Sequence, residues 1–299
     1  MDGRNARWSL VGSYVACLAA VGFAVPTAAR GAKPDAMPRH AATPVQRIDD
    51  YAAATAAART AGGMLLVSVE PVVTGDHDVA GSHLERPEVQ QRFATSGMPW
   101  VFCRIAMNAG GADLAADPGL AEMRRGPGVF VVDHGPGDYA GRIISILPRA
   151  PGKYYSFSPT HIDELASLPR ASLTQRSLIL AVRIHPEQPQ STFGTCDPVL
   201  CQEAASHSAH QASLRRQGHH NWQTRSQRIV GAVGHGSASE VCAESWENQD
   251  LLDSCVDCVA SWRHSTGHWN AVRSPQSAYG YDIRQGSNGI WYATGIFIR

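Results

Sequence analysis

Three nearly continuous apolar segments in the first half of the chain constrain its fold most strongly. They are residues 64–70 (MLLVSVE), 100–106 (WVFCRIA) and 129–133 (VFVVD). Strands that are apolar on both faces must be covered on both faces, and helical patterns lie between these segments. The sequence therefore predicts an α/β domain over residues 47–169. A fourth strand is expected at 142–147, and helices are expected at 49–60, 87–95, 119–124 and 160–168.

The order of these elements resembles a thioredoxin-like domain. An alanine-rich helix precedes the first strand, and Gly126-Pro127-Gly128 precedes the third, so that Pro127 stands where that family places its cis-proline. Redox-active members carry Cys-x-x-Cys after the first strand, whereas this chain has EPVVTG at 70–75. Without a thiol there, disulfide exchange has no nucleophile. The resemblance therefore implies a redox-inactive domain that serves as a scaffold or binding module.

The N-terminus has the pattern of an export signal. Arg4 and Arg7 precede a largely apolar stretch at 8–25, and small residues stand at 27–29. This pattern predicts a signal peptide over residues 1–29, cleaved after Ala29, and places the protein outside the cell, in the periplasm or in the cell envelope. An uncleaved membrane anchor is the alternative, and only then is membrane attachment expected. Residues 30–46, rich in Ala and Pro, are predicted to form a flexible linker.

Composition excludes some partners. The chain has 26 Lys and Arg residues and 26 Asp and Glu residues, so it lacks the positive charge that nucleic-acid binding requires. With 43% apolar residues, it has enough apolar side chains for a packed globular protein. We therefore expect no nucleic-acid partner.

The cysteines leave three interpretations open. Without Cys17 in the signal segment, six remain, and an exported protein can pair them as disulfides. The expected buried thiol is Cys103, which lies in an apolar strand pattern. The other five are Cys196, Cys201, Cys242, Cys255 and Cys258. Disulfide pairing or plain packing is expected for them, and a four-thiolate zinc site from the 196, 201, 255 and 258 positions is the weaker alternative.

The second half changes pattern after residue 171. Helices are predicted at 172–184, 197–217, 239–246 and 251–262, and two terminal strands at 278–283 and 290–297. Prolines at 186 and 189 end the first helix, and Gly218 is expected to end the second. We therefore predict a second α/β domain over residues 172–299.

Separated motifs in this half resemble the bacterial branch of the CAP (SCP-like) superfamily. They are HSAHQA at 207–212 followed by His219, SEVC at 239–242 in place of Gly-Glu-Asn, WRHSTGH at 262–268, YGY at 279–281 and WYATGIF at 291–297. The resemblance covers about 125 residues, and the W-x-x-S-x-G-H element is its most specific part. It implies an α/β/α sandwich with a polar cleft.

The resemblance assigns four residues to this cleft: His219, Glu240, Ser265 and His268. Two imidazoles and a carboxylate suit a divalent metal such as zinc, so His219, His268 and Glu240 are the candidate ligands. The same trio could transfer protons instead. Ser265 occupies the place of a second glutamate in eukaryotic members, and Glu244, one helical turn after Glu240 in the predicted helix, is a possible substitute.

Other histidines and tryptophans receive simpler interpretations. His207 and His210 are expected to be solvated, and His219 rather than His220 is expected to point inward. Three tryptophans are predicted to lie in the core: Trp246, Trp262 and Trp291.

Three functions follow as hypotheses. The first is an exported protein that binds a small ligand, lipid, divalent metal or cell-envelope component. The second is a metal-dependent hydrolase of peptide or cell-wall material. The third is a structural surface protein with a degenerate cleft. The sequence does not decide whether the protein is an enzyme.

Overall fold

The computed structural model of the protein describes residues 45–70, 79–111, 114, 120, 122–123 and 128–299. The predicted signal peptide, the linker up to residue 44 and Pro127 lie outside the described residues. Within the described part, the chain is mixed α/β and contains two mixed sheets. No helix in this part is both long enough and apolar enough to cross a bilayer.

The first sheet has the strand order β1-β3-β2-β4-β5. Its strands are β1 (Gln46–Arg47), β2 (Met64–Glu70), β3 (Trp100–Ala106), β4 (Gly128–Asp133) and β5 (Arg142–Pro148). β1, β3 and β2 are parallel, and β4 and β5 run antiparallel to their neighbours. The four predicted strands are confirmed, and Gln46, expected in the linker, instead pairs with Val101 at the sheet edge.

Helices cover this sheet on both faces, as its apolar strands require. α1 (Tyr51–Ala61) packs on one face, and α3 (Pro87–Ala94) and α4 (Pro159–Ser167) pack on the other. α2 (Val79–Leu84), which precedes α3, was not predicted. α1 begins where the Asp50 carboxylate accepts a hydrogen bond from the Ala53 amide at 2.7 Å.

The second sheet has the order β6-β8-β9-β7. Its strands are β6 (Thr195–Cys196), β7 (Ala238–Glu244), β8 (Ala278–Gln285) and β9 (Trp291–Ile298). α6 (Pro198–Leu214) and α7 (Trp222–Val233) lie on one face; α5 (Leu173–Arg183) and α8 (Leu251–Arg263) lie on the other. α9 (Thr266–Arg273) follows α8 and contacts β7.

Two local predictions for this half were wrong, and two helices were not predicted. Residues 239–246 were expected to be helical but form β7, because buried Val241 and Ala243 alternate with Glu240 and Cys242 at the period of a strand. α6 ends at Leu214 rather than near residue 217, since Arg215 adopts a left-handed φ of 53°. α7 and α9 were not predicted. Their sequences are largely polar, with a single buried residue, Ile229, in α7.

α5 is buried on nearly all sides. Every residue from 175 to 182 in this helix is buried. It lies between β5 of the first sheet and β8 of the second, and it also packs against α8. One continuous apolar cluster therefore includes side chains from both sheets. Glu122, in the first half, joins the halves again by accepting hydrogen bonds from the Leu251 and Leu252 amides at the start of α8.

Candidate functional site

A glycine in β8 allows α6 to approach the second sheet closely. A Cβ atom on Gly280 would lie 2.2 Å from the backbone carbon of Leu200, so no other residue fits without moving the helix. Ser208, further along α6, donates a hydrogen bond to the Asp282 carbonyl at 2.9 Å. These contacts fix the face of α6 that borders the candidate site.

Gln211 then positions the loop that carries His219. Its side chain is buried, and its Nε2 donates to Thr294 Oγ1 of β9 at 2.9 Å. Its Oε1 accepts a hydrogen bond from the Gly218 amide at 3.0 Å. One buried amide thus ties the sheet to the α6–α7 loop, one residue before His219.

The structure brings together three of the four residues that the sequence predicted for the cleft. His219 Nδ1 lies 3.0 Å from Glu240 Oε1, and His219 Nε2 lies 3.2 Å from His268 Nε2. Glu240 extends from β7, His219 from the α6–α7 loop and His268 from α9. The Glu240 side chain is fully buried, whereas the His219 side chain is 41% exposed.

The partners of His219 determine where its protons lie. Arg225 Nη1 lies 2.7 Å from Glu240 Oε2. Burial alone would raise the pKa of Glu240, but the hydrogen bond from His219 and the charges of His207 and Arg225 outweigh it and hold this pKa below its usual range. An ionised carboxylate only accepts hydrogen bonds, so His219 donates from Nδ1 to Glu240 and its Nε2 faces His268.

His268 is kept neutral by its surroundings. Burial, followed by the neighbouring His219, lowers the pKa of His268 to about 4. At neutral pH this imidazole is uncharged, which is the form that ligates metals. The neutral imidazole of His268 therefore meets a second imidazole, oriented by a carboxylate, at the edge of the second sheet.

A second set of donor atoms lies deeper. His207, Glu240 and Cys242 are all buried and offer ligand atoms within 4.8 Å of one another, an arrangement that can hold a metal ion. His207 Nε2 donates to the Gly218 carbonyl at 2.9 Å and lies 3.7 Å from Glu240 Oε1. Burial raises the pKa of Cys242 well above its usual value, so this thiol stays protonated until a cation displaces the proton.

The fourth predicted cleft residue, Ser265, and the possible substitute Glu244 are not joined to these three residues. Ser265 is the N-cap residue of α9 and makes no side-chain capping bond there; among the described residues, none of its hydrogen bonds reaches His219, Glu240 or His268. Glu244 is exposed, and it lies farther from Glu240 than the predicted helix would place it, because four residues of extended strand are longer than one helical turn.

The cysteines do not form the four-thiolate zinc site considered above. Cys196 Sγ and Cys201 Sγ lie 3.3 Å apart where β6 meets α6. Cys255 and Cys258 are buried in α8, and no four-thiolate group exists among the described residues. Cys103 is buried as predicted.

Several simpler interpretations were wrong. His207 was expected to be solvated but is 2% exposed. Its ring faces the rings of His210 and His220 in a groove between α6 and α7. His220 was expected to face solvent but is half-buried. Trp246, expected in the core, is 72% exposed; Trp262 is buried as predicted, and Trp291 is half-buried.

The sequence interpretation gave no site role to three residues that border the predicted trio. Arg225, Gln211 and Cys242 contact its members or their loop. Recognising 239–246 as a strand would have placed Cys242 on the same face as Glu240. No local signal identifies Arg225, which lies on the helix that was not predicted.

No protein-family model matches this chain, and no curated protein matches it significantly. Its function must therefore be inferred from the chemistry of these residues.

Proposed function

We propose that this chain is an exported protein with a thioredoxin-like domain and a CAP-type domain, and that His219 and His268 bind a divalent metal, zinc first. Through that metal, the cleft would bind a small ligand or a cell-envelope component. The resemblance of the separated motifs and the three-layer arrangement around the second sheet support the CAP assignment. The strand order and directions of the first sheet support the thioredoxin-like assignment.

A single distance carries the metal proposal. Zn–N bonds of about 2.0–2.1 Å at a tetrahedral angle place two ligand nitrogens about 3.3 Å apart. His219 Nε2 and His268 Nε2 are 3.2 Å apart. Their separation therefore suits a shared tetrahedral metal with little rearrangement, in the tautomers that leave both Nε2 atoms unprotonated and keep each ring's proton on Nδ1.

Glu240 has a supporting part in this proposal. Its Oε1 holds the Nδ1–H of His219, which leaves Nε2 as the ligating atom. A carboxylate behind a ligating histidine orients the ring and makes it more basic. Arg225 neutralises the other carboxylate oxygen, which disfavours Glu240 as a direct ligand. The two remaining metal positions would be open to water or ligand.

Metal titration tests this proposal. We expect His219→Ala and His268→Ala to abolish Zn²⁺ or Co²⁺ binding measured by calorimetry and visible absorption of the cobalt form. Glu240→Gln should weaken binding about 10–100-fold, as loss of an orienting partner does. His235→Ala and Glu244→Gln are matched controls, because both side chains are exposed and outside the cleft.

The buried donor set provides the competing outcome. If the metal binds at His207, Glu240 and Cys242, then His207→Ala and Cys242→Ser will abolish binding while His268→Ala will leave it unchanged. That result would overturn the proposed ligand pair. Absence of binding in the unmodified protein would favour the structural hypothesis with a degenerate cleft.

A metal-dependent hydrolase is the second candidate, and the exposure of His219 favours it. Zinc with open positions lowers the pKa of a bound water to about 7 and makes it a nucleophile. Turnover of peptide or cell-wall glycan substrates that is lost in His219→Ala and retained in His235→Ala would support this activity. Metal binding without turnover would support the first proposal, a protein that binds a ligand through the metal.

A further inference from the structure

A separate pocket of about 400 Å³ lies at the end of the first sheet where β2 and β3 begin, and Arg176 of α5 also lines it. Its floor and walls include Met64, Met98, Trp100 and Leu168, which are apolar. Three arginines also line it: Arg92, Arg170 and Arg176. Among the described residues that line this pocket, none is acidic. It is separate from the histidine cleft, to which it contributes no residue.

Arg176 is the unusual member of this lining. Its side chain is fully buried in α5, and no described carboxylate forms an ion pair with it. Nε donates to Ser145 Oγ at 2.7 Å, Nη1 donates to the Leu168 and Pro169 carbonyls, and Nη2 donates to the Leu165 carbonyl at 3.2 Å. These bonds hold the guanidinium in place and leave one Nη2 hydrogen without an acceptor among the described residues. Buried charges are normally paired, so an anion is the missing partner.

The other two arginines reinforce the positive potential. Arg170 uses Nε and Nη2 to bind the buried Asp133 carboxylate, and its Nη1 group bonds to no described residue. Arg92 is mostly exposed, and its Nη2 lies 3.8 Å from the Asp163 carboxylate. The two carboxylates offset these two arginines, so the pocket retains the charge of Arg176.

We propose that this pocket binds a small organic monoanion with an apolar tail, of the medium-chain carboxylate class. The carboxylate would accept hydrogen bonds from the free N–H groups of Arg176 and Arg170, and the apolar tail would pack against Met64, Met98 and Trp100. A volume near 400 Å³ lies in the range of small-molecule sites, which are largely apolar with a few fixed polar groups. An inorganic anion would leave the apolar wall exposed to water.

Calorimetric titration with decanoate, with decanol as the uncharged analogue, tests this proposal on the full chain. We expect saturable binding of decanoate and at least about tenfold weaker binding of decanol, because hydrogen bonds to a charged group are lost. Equal affinity for the two, or no saturable decanoate binding up to about 1 mM, would overturn it.

Two substitutions at one position of the pocket wall distinguish the effect of charge on decanoate binding from an effect on folding. Met98 is half-buried, and Met98→Glu and Met98→Lys add polar side chains of similar length. Met98→Glu should weaken decanoate binding at least about tenfold, whereas Met98→Lys should keep or strengthen it. Equal affinities in two folded variants would contradict the proposal. His219→Ala should leave decanoate binding unchanged, so failure here is distinguishable from failure of the metal site.

Discussion

His219 Nε2 and His268 Nε2 lie 3.2 Å apart, although 49 residues separate them in the chain. Helix α9 and the α6–α7 loop place the two rings against each other at the edge of β7. Burial and His219 lower the pKa of His268 to about 4 in the folded protein, from its ordinary value of 6.5. As the pH falls below 6.5, His268 therefore becomes protonated in the unfolded chain but stays neutral in the folded protein.

The first prediction concerns how the free energy of unfolding of the metal-free protein depends on pH. Between pH 6.5 and 4 the unfolded chain binds more protons than the folded one, so acidification should lower the free energy of unfolding. The part due to His268 should be about 2 kcal/mol and should disappear in His268→Gln. Urea unfolding from pH 7 to 4.5 in the presence of a chelator measures it. His235→Gln should retain the full pH dependence.

The second prediction concerns the buried Glu240 carboxylate. Glu240→Ala leaves Arg225, whose side chain is only 11% exposed, without its anionic partner and should lower the free energy of unfolding by about 3 kcal/mol. Glu244→Ala, at an exposed position of the same strand, should change it by less than about 0.5 kcal/mol. Chemical denaturation of both variants measures the difference. Similar small effects in both would show that the Arg225–Glu240 pair is not formed.

The third prediction is a disulfide between Cys196 and Cys201, whose sulfur atoms lie 3.3 Å apart. Treatment with oxidised glutathione should form this bond, with the two thiol protons and two electrons reducing the glutathione disulfide to two thiols. Alkylation and peptide mass spectrometry should find these two cysteines blocked together. Cys103, Cys255 and Cys258 should remain as thiols, since burial raises the pKa of each. A bond between any other pair would contradict the expectation.

The fourth prediction concerns the glycine in β8. Gly280→Ala places a methyl group against the Leu200 and Cys201 backbone and should destabilise the fold by at least about 2 kcal/mol. Gly231→Ala is the control, because a Cβ at this position in α7 meets no atom within 4 Å. That variant should be unchanged or more stable by about 0.5–1 kcal/mol. Thermal unfolding of the pair measures the contrast.

The fifth prediction concerns the internal hydrogen bonds of Arg176. Arg176→Met fills a similar space but leaves the carbonyls of Leu165 and Leu168 without their donor. Unsatisfied buried carbonyls cost about 1–3 kcal/mol each, so unfolding should occur at clearly lower denaturant concentration. Arg183→Met is a milder control near the end of the same helix, since Arg183 Nη1 donates to Ser167 at an exposed position. Equal losses in the two variants would argue against a buried guanidinium.

Strands with strong apolar patterns were predictable from the sequence, and those of the first half lie where they were expected. Prediction failed where the pattern was short or polar. Residues 239–246 contain two apolar residues in strand alternation, flanked by glutamates that also fit a helix. α7 has one buried residue, so its apolar pattern is too weak to indicate a helix. Tertiary packing decides both cases.

The candidate site also contains residues that the sequence predicted and residues that it did not. Motif order was enough to propose that His219, Glu240 and His268 lie close together, because the residues occur at motif positions. Arg225 was missed, and His207 was wrongly expected to be solvated, because an ion pair and burial leave no local pattern in the sequence. The distance between two imidazoles, on which the metal proposal rests, is likewise a property of the folded chain alone.

The near-complete burial of α5 links the fates of the two halves. Every residue from 175 to 182 of this helix is buried, five of them apolar, so removing either sheet would expose apolar side chains to water. Residues 172–299 produced without the first half would carry those side chains on their surface and would associate with one another. Loss of the first sheet would therefore cause aggregation of the truncated protein. The histidine site would be lost with the aggregated protein, although no residue of the first sheet contributes to it.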